Sequence, residues 1–182
     1  MKNTHLIILL LASGIALQAC KQNKEKSPEE NQEAIEDLEE SLYQSTAAMD
    51  KDTVNLLVKK YDAYAKRYPE DSLAQQYLFR AARLKMAVED FEGGLKYLEK
   101  IEAKYPDSDL LPAVLLLKGN IYGDYLNDFD KAEKAYQRIV DEYPASEFAR
   151  DAEISIRNLG KSLDELIREF EEKNEKDSLH VS

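Results

Sequence analysis

An all-α solenoid of antiparallel helix pairs, closed by a C-terminal helix, is the fold that this sequence predicts. Tyr-Pro recurs as Tyr68-Pro69, Tyr105-Pro106 and Tyr143-Pro144, at intervals of 37 and 38 residues. A fixed period in that range marks stacked units rather than one irregular core. Between the prolines the apolar residues fall at spacings of three and four: Leu95, Leu98, Ile101 and Tyr105 in one unit, Ala132, Ala135, Tyr136, Ile139 and Tyr143 in the next. That is the period of a helix with one buried face. Nowhere does a sustained apolar and polar alternation predict a strand.

The chain opens with Met1 to His5, short and weakly basic, then Leu6 to Leu17, a mostly apolar run too short to stay as a membrane span. Leu17-Gln18-Ala19-Cys20 follows. It resembles the bacterial lipoprotein lipobox, in which a small residue precedes an obligatory Cys, and the chain's single Cys stands at that position. The resemblance implies a signal peptide over residues 1–19, cleavage before Cys20 and lipidation of Cys20. Each acyl CH₂ buried in a bilayer contributes about 0.8 kcal/mol, so two or more chains anchor stably where one does not. Residues 20–29 read as a flexible tether, because Lys21 to Pro28 offers nothing to pack into a core.

Residues 30–69 form a degenerate first repeat. Ile35, Leu38, Leu42 and Ala47 place one helix over Asn31 to Ala48, and Val54, Leu57, Val58, Tyr61, Tyr64 and Tyr68 place a second over Thr53 to Tyr68. Two regular repeats follow, residues 70–106 and 107–144. Phe91 and Phe129 stand fifteen residues before the closing prolines, each with a small residue three positions on, Gly94 or Ala132. Ten residues before each Phe is another small residue, Ala81 or Gly119, with Leu84 or Tyr122 three further on. Leu98 pairs with Tyr136 and Ile101 with Ile139. Small residues let one helix approach another closely, and large side chains a turn away fill the flanking space. Proline ends each second helix. Ser72, Asp109 and Ser146, just beyond, sit where helix N-caps are wanted. Residues 145–175 make a C-terminal helical cap. Ser146 to Leu159 is one more first-type helix, ended by Gly160 as C-cap. Ser162-Leu-Asp-Glu165 is a capping box that opens a last helix with Leu163, Leu166, Ile167 and Phe170 on one face. Residues 176–182 are polar and expected to fray.

This combination of small residues, aromatic partners and a closing proline resembles the tetratricopeptide repeat. The Tyr-Pro-x-Ser form of Tyr105-Pro-Asp-Ser108 and Tyr143-Pro-Ala-Ser146 is similar to repeats of BamD-like outer-membrane lipoproteins and of the Tol-associated periplasmic coordinator. The resemblance runs from Glu30 to Gly160. It implies an outer-membrane, lipid-anchored and periplasm-facing scaffold, with the cell surface as the other placement, that binds protein partners of the envelope. BamD-like assembly is one role it implies. A Tol- or peptidoglycan-associated coordinator is the alternative, and an accessory subunit of an envelope enzyme a further one.

The composition narrows the chemistry. With 36 Asp+Glu against 25 Lys+Arg the net charge is −11, which repels phosphate backbones and argues against nucleic acid as a partner. One Cys excludes a disulfide scaffold and a Cys-based zinc site. After Cys20 the only His is His180, near the end, so no positioned general base and no metal site is expected. The glycines form neither a dinucleotide nor a Walker fingerprint, and Gly93-Gly94 reads as helix packing rather than a phosphate turn. No cofactor, no small-molecule substrate and no catalytic residue is expected. The eleven Tyr and five Phe read as core rather than as a platform for sugars. What remains is a groove along the first helices. Leu78, Leu116 and Ile154 are spaced 38 and 38 residues apart, with Asn120 and Asn158 one turn on and Lys85 beside them. These six are the candidate partner groove; inward packing against the second helices is the alternative for the same ladder, and both stay open at this point.

Overall fold

The computed structural model describes residues 27–44 and 50–179; Cys20, the tether up to Lys26, Ala47 and His180 lie outside them. Among the described residues the chain is helical throughout. The helices are α1 (Pro28–Gln44), α2 (Lys51–Arg67), α3 (Ser72–Ala87), α4 (Phe91–Lys104), α5 (Leu111–Asn120), α6 (Phe129–Glu142), α7 (Ala149–Asn158) and α8 (Leu163–Leu179). A single π-helical segment, Ile121–Tyr125, extends α5. From α1 to α7 each helix packs on its neighbours in the chain, which is the expected solenoid.

The first helix starts inside the stretch read as tether. Ser27 and Glu30 form a reciprocal capping box: the Glu30 amide donates to Ser27 Oγ (3.2 Å) and the Ser27 amide to Glu30 Oε2 (3.0 Å). Pro28 takes the first helical position, where its missing N–H costs nothing and its fixed φ suits the helix. The tether therefore gives way to helix at Pro28, not at residue 30.

Aromatic residues build the core of the first two units. Tyr61 stacks on Tyr77 at 5.1 Å, and Tyr64 meets Tyr77 edge-on at 4.9 Å. All three are buried, and two of their hydroxyls are tied to carboxylates. Tyr61 donates to Glu39 of α1, which also accepts from Arg80 of α3 at 2.8 Å. Tyr64 donates to Asp71 at 2.7 Å, and burial with that carboxylate beside it pushes the phenol well above its ordinary value. Further along, Glu102 of α4 takes Lys118 of α5 and Arg138 of α6, and Lys100 of α4 reaches back to Asp62 of α2. Successive second helices are thus linked by charged pairs along one side of the stack.

Each second helix opens on an aspartate: Asp50 accepts from the Thr53 amide (2.9 Å), Asp90 from Gly93 (3.0 Å) and Asp128 from Lys131 (3.2 Å). The first helices differ from expectation. Asp71, not Ser72, caps α3, and α5 and α7 open at Leu110 and Phe148 with no side-chain cap, so neither Asp109 nor Ser146 serves. The Tyr-Pro turns share one hydrogen-bond pattern. Each closes with an amide three residues on donating to the Tyr carbonyl: Asp71 to Tyr68 (3.1 Å), Ser108 to Tyr105 (3.1 Å), Ser146 to Tyr143 (3.0 Å). A second turn of the same kind follows, Ala74 to Asp71, Leu111 to Ser108 and Ala149 to Ser146. Ser146, expected to cap, is the turn residue itself, whereas Ser72 and Asp109 stand one residue beyond the turn residues Asp71 and Ser108. Ser108 uses its hydroxyl to accept from the Leu110 amide and to donate to Gln75. Its equivalent Ser146 has Pro112 and Ala113 where Gln75 would stand, and its buried hydroxyl has no partner.

The one-residue difference between the two periods has a location. In α3 the Val88 amide bonds to the carbonyl four residues back, Leu84 (3.3 Å); in the next unit the Leu126 amide reaches five back, to Ile121 (3.1 Å). A π turn is an α-helix with one residue inserted. Before it the units align at 37, pairing Ala74 with Leu111, Leu78 with Leu115, Ala82 with Gly119 and Leu84 with Ile121, all eight of them buried. After it they align at 38, pairing Asp90 with Asp128 and Ile101 with Ile139. The pairings of Ala81 with Gly119, Leu84 with Tyr122 and Leu78 with Leu116 are therefore one residue out.

The last helix also departs from expectation. Gly160 ends α7 with φ +73°, and the Ser162–Glu165 capping box opens α8, both as read. But α8 does not close the stack. Leu163, Ile167 and Phe170 are 72%, 47% and 66% exposed, and α8 packs against no other helix to a comparable extent. α7 stops at Asn158 after 10 residues, whereas α5 with its π turn runs from Leu111 to Tyr125. The chain turns before reaching the point from which a second helix could fold back.

Candidate functional site

The π turn, the α7 helix and the turn into α8 surround one cleft of about 530 Å³. Asn120 ends α5 at its wall, Gly123 and Asp124 come from the π turn, and Asn127 from the following loop. α6 supplies Phe129 and Tyr136, α7 supplies Ile154, Ser155 and Asn158, and Lys161 and Leu166 come from the α7–α8 turn and α8.

Local physics fixes these walls. Asn127 has φ 53°, a left-handed conformation that Asn tolerates better than most residues. A Cβ on Gly119 would fall 2.6 Å from Tyr136 Cδ1 and Cζ and closer still to Cε1, so only glycine lets that ring lie across α5. A Cβ on Gly123 would meet Leu159 at 3.2 Å and Ala132 at 3.4 Å, which brings the α7–α8 turn close to the π turn. The Tyr136 ring is buried, and its hydroxyl donates to Asn120 Oδ1 at 2.9 Å. Burial, with the nearby Asp124 charge, pushes the phenol up to about 12.

That shift has a consequence for stability. A phenol whose folded value lies above its unfolded value of about 10 favours the fold fully below pH 10 and loses that contribution as pH rises through 12. Tyr77, Tyr97 and Tyr105 are raised too, each by burial first. Urea titrations at pH 9 and pH 11.5 are expected to show a marked loss for the native chain and a smaller one for Tyr136→Phe. At neutral pH the same variant loses one hydrogen bond, about 1 kcal/mol.

The six candidate groove residues divide. Asn120, Ile154 and Asn158 all line this cleft. Leu78 is 0% exposed and belongs to the second core cluster, so it cannot meet a partner. Leu116 is half-buried against the third core cluster. Lys85 lies in a different hollow, paired with Asp90 at 2.8 Å and with Asn55 Oδ1 at 3.0 Å. No continuous ladder joins the three units, because α3 and α5 are related by 37 residues, so the half-buried Leu116 corresponds to Phe79 and not to the buried Leu78. Asp124, Asn127 and Ser155 were not anticipated; the longer second interval was the trace of the π turn that positions the first two.

The cleft offers three amides, hydroxyls and one carboxylate beside the apolar faces of Ile154, Phe129 and Leu166. No histidine, cysteine or carboxylate pair lines it. Such a lining suits hydrogen bonds to a peptide backbone and contact with an apolar side chain. Among the described residues no group of three or more His, Cys, Asp or Glu is placed to hold a metal ion, and no helix is long and apolar enough to cross a membrane.

No curated protein matches the chain. The family model for the tetratricopeptide repeat matches residues 76–108 and 113–146. These segments carry most of α3 with α4, and α5 with its π turn and α6. The fold is an all-α solenoid of tetratricopeptide type, and the walls of the cleft from Asn120 to Tyr136 belong to its second matched repeat.

Proposed function

We propose that this chain is a protein-binding scaffold of the bacterial cell envelope, held at the outer membrane by lipid on Cys20, that grips a segment of an envelope protein in the cleft beside the π turn. Tetratricopeptide repeats serve protein–protein interaction, which supports the scaffold reading and a role other than catalysis. The observation that carries the site is the convergence of Asn120, Asn127, Asn158 and Ile154 on one cleft. The lipobox resemblance at Leu17 to Cys20 supports the anchor, and the Tyr-Pro-x-Ser turns support kinship with BamD-like assembly lipoproteins or with a Tol- or peptidoglycan-associated coordinator.

Two experiments test this. Cys20→Ser is expected to leave the signal segment uncleaved at that site or to release the chain into the soluble fraction. A variant that is processed normally and stays with membranes through a high-salt wash would remove the lipid anchor from the account. Native protein purified from membranes is expected to bring an envelope protein with it, and Ile154→Asp to lose that protein at an unchanged melting temperature. An added charge at an apolar contact must be desolvated on binding, whereas exposed Ile154 contributes little to the core. Recovery of the same partner with both proteins would contradict the cleft.

A further inference from the structure

α8 is an amphipathic helix with an uncovered apolar side. Leu163, Ile167 and Phe170 form a stripe at spacings of four and three, and all three are exposed. Leu166, next to the stripe, lines the cleft, so the two surfaces are continuous. A contiguous exposed apolar patch rimmed by charge marks an interaction surface.

The charge around it selects the occupant. From Leu163 to Leu179 the helix carries seven acids, Asp164, Glu165, Glu169, Glu171, Glu172, Glu175 and Asp177, against three cations, Arg168, Lys173 and Lys176. Glu165 is held by the Ser162 cap and Glu169 by Lys161 at 2.7 Å. Asp164 and Glu171, about 80–100° round the helix from Leu163, flank the stripe along one edge and have no ion-pair partner among the described side chains. A second copy laid on this stripe would bring the same acidic helix against itself, and like charges facing across an interface select against that pairing. An anionic lipid surface meets the same repulsion. A helix with apolar residues on one face and Lys or Arg along its edges meets both the stripe and its rim.

We infer that α8 docks a basic amphipathic helical segment of a protein partner, apolar side chains on Leu163, Ile167 and Phe170 and cations against the acidic edge of Asp164 and Glu171. The inference rests on the scaffold reading and extends its cleft to a second contact surface on the same partner.

The test uses the full chain and labelled peptides matched in length to the 17 residues of α8. One peptide carries Leu at helical spacing with Lys elsewhere, a second has the same composition in scrambled order, and a third has Glu in place of Lys. Fluorescence anisotropy is expected to show the first binding about tenfold or more tighter than the other two. Ile167→Ser combined with Phe170→Ser should lose that advantage with no change in melting, since both residues are exposed. Asp164→Lys with Glu171→Lys should weaken binding of the Lys peptide and strengthen that of the Glu peptide. Equal affinity for ordered and scrambled peptides, or unchanged binding in the stripe variant, would overturn the inference. So would stripe-dependent self-association in sedimentation, which would make a second copy the occupant. Stripe-dependent binding to phosphatidylcholine–phosphatidylglycerol vesicles by the Cys20→Ser chain would likewise make it a membrane. Ile154→Asp should leave peptide affinity within about twofold, so failure of the cleft and failure of the α8 surface are told apart.

Discussion

Ile139→Glu is expected to abolish the cooperative melting transition. Ile139 is fully buried in the third core cluster with Leu115, Ala132, Tyr136 and Ala152. The substitution removes a large apolar side chain, about 2–5 kcal/mol for comparable truncations, and puts a carboxylate where no cation waits. The loss is not confined to α6. That helix packs on both α5 and α7, and in a repeat array the nearest-neighbour interfaces supply much of the stability. Circular dichroism at 222 nm against temperature should show a broad, non-cooperative loss of helix at low temperature. Lys134→Glu, exposed on the same helix, should melt within a few degrees of the native chain. Cooperative melting of both at the native temperature would mean that Ile139 is not a core residue.

Gly119→Leu is expected to be the next most damaging change. The Tyr136 ring occupies the space of any side chain at position 119 and is itself buried and hydrogen-bonded to Asn120. Overfilling a packed crossing costs typically about 1–3 kcal/mol and more when neither side can move. In a domain of this size that lowers the melting temperature by about 2–4 °C per kcal/mol. Gly119→Ala should already be measurable. Lys118 is a poor neighbour for comparison, because it is half-buried and bound to Glu102; Lys134→Leu, which is exposed, is the suitable control. Because Tyr136 and Asn120 both wall the cleft, the Gly119 variants should weaken partner capture as well as stability. Equal melting shifts at 119 and 134 would contradict the crossing.

The repeat, the helix pairs and several local devices were legible in the chain. Tyr-Pro at nearly constant intervals, the buried Leu98, Ile101, Tyr136 and Ile139, the left-handed Gly160 and the Ser162–Glu165 box all appear where the pattern put them. The groove was not legible in the same way. A second interval longer by one residue says that something is inserted but not where, and the π turn at Ile121–Tyr125 places it inside the first helix. Because the insertion comes after position 116, Leu115 rather than Leu116 stands in the position of Leu78. The uncovered face of α8 was misread for another reason. Leu163, Ile167 and Phe170 carry the pattern of a helix with something to bury, but the pattern does not say against what. The short length of α7 decides that no part of the stack covers them.

The central claim is that the cleft beside the π turn holds a protein segment. A photo-reactive amino acid placed in turn at Ile154, Asn158, Lys134 and Arg83, in the full-length chain within intact cells, tests it most directly. Ile154 and Asn158 line the cleft, whereas Lys134 and Arg83 are exposed outside it. Irradiation is expected to give one discrete adduct with the same protein from Ile154 and Asn158 and none from the other two. Adducts of equal yield at all four positions, or adducts at Lys134 and Arg83 alone, would contradict it.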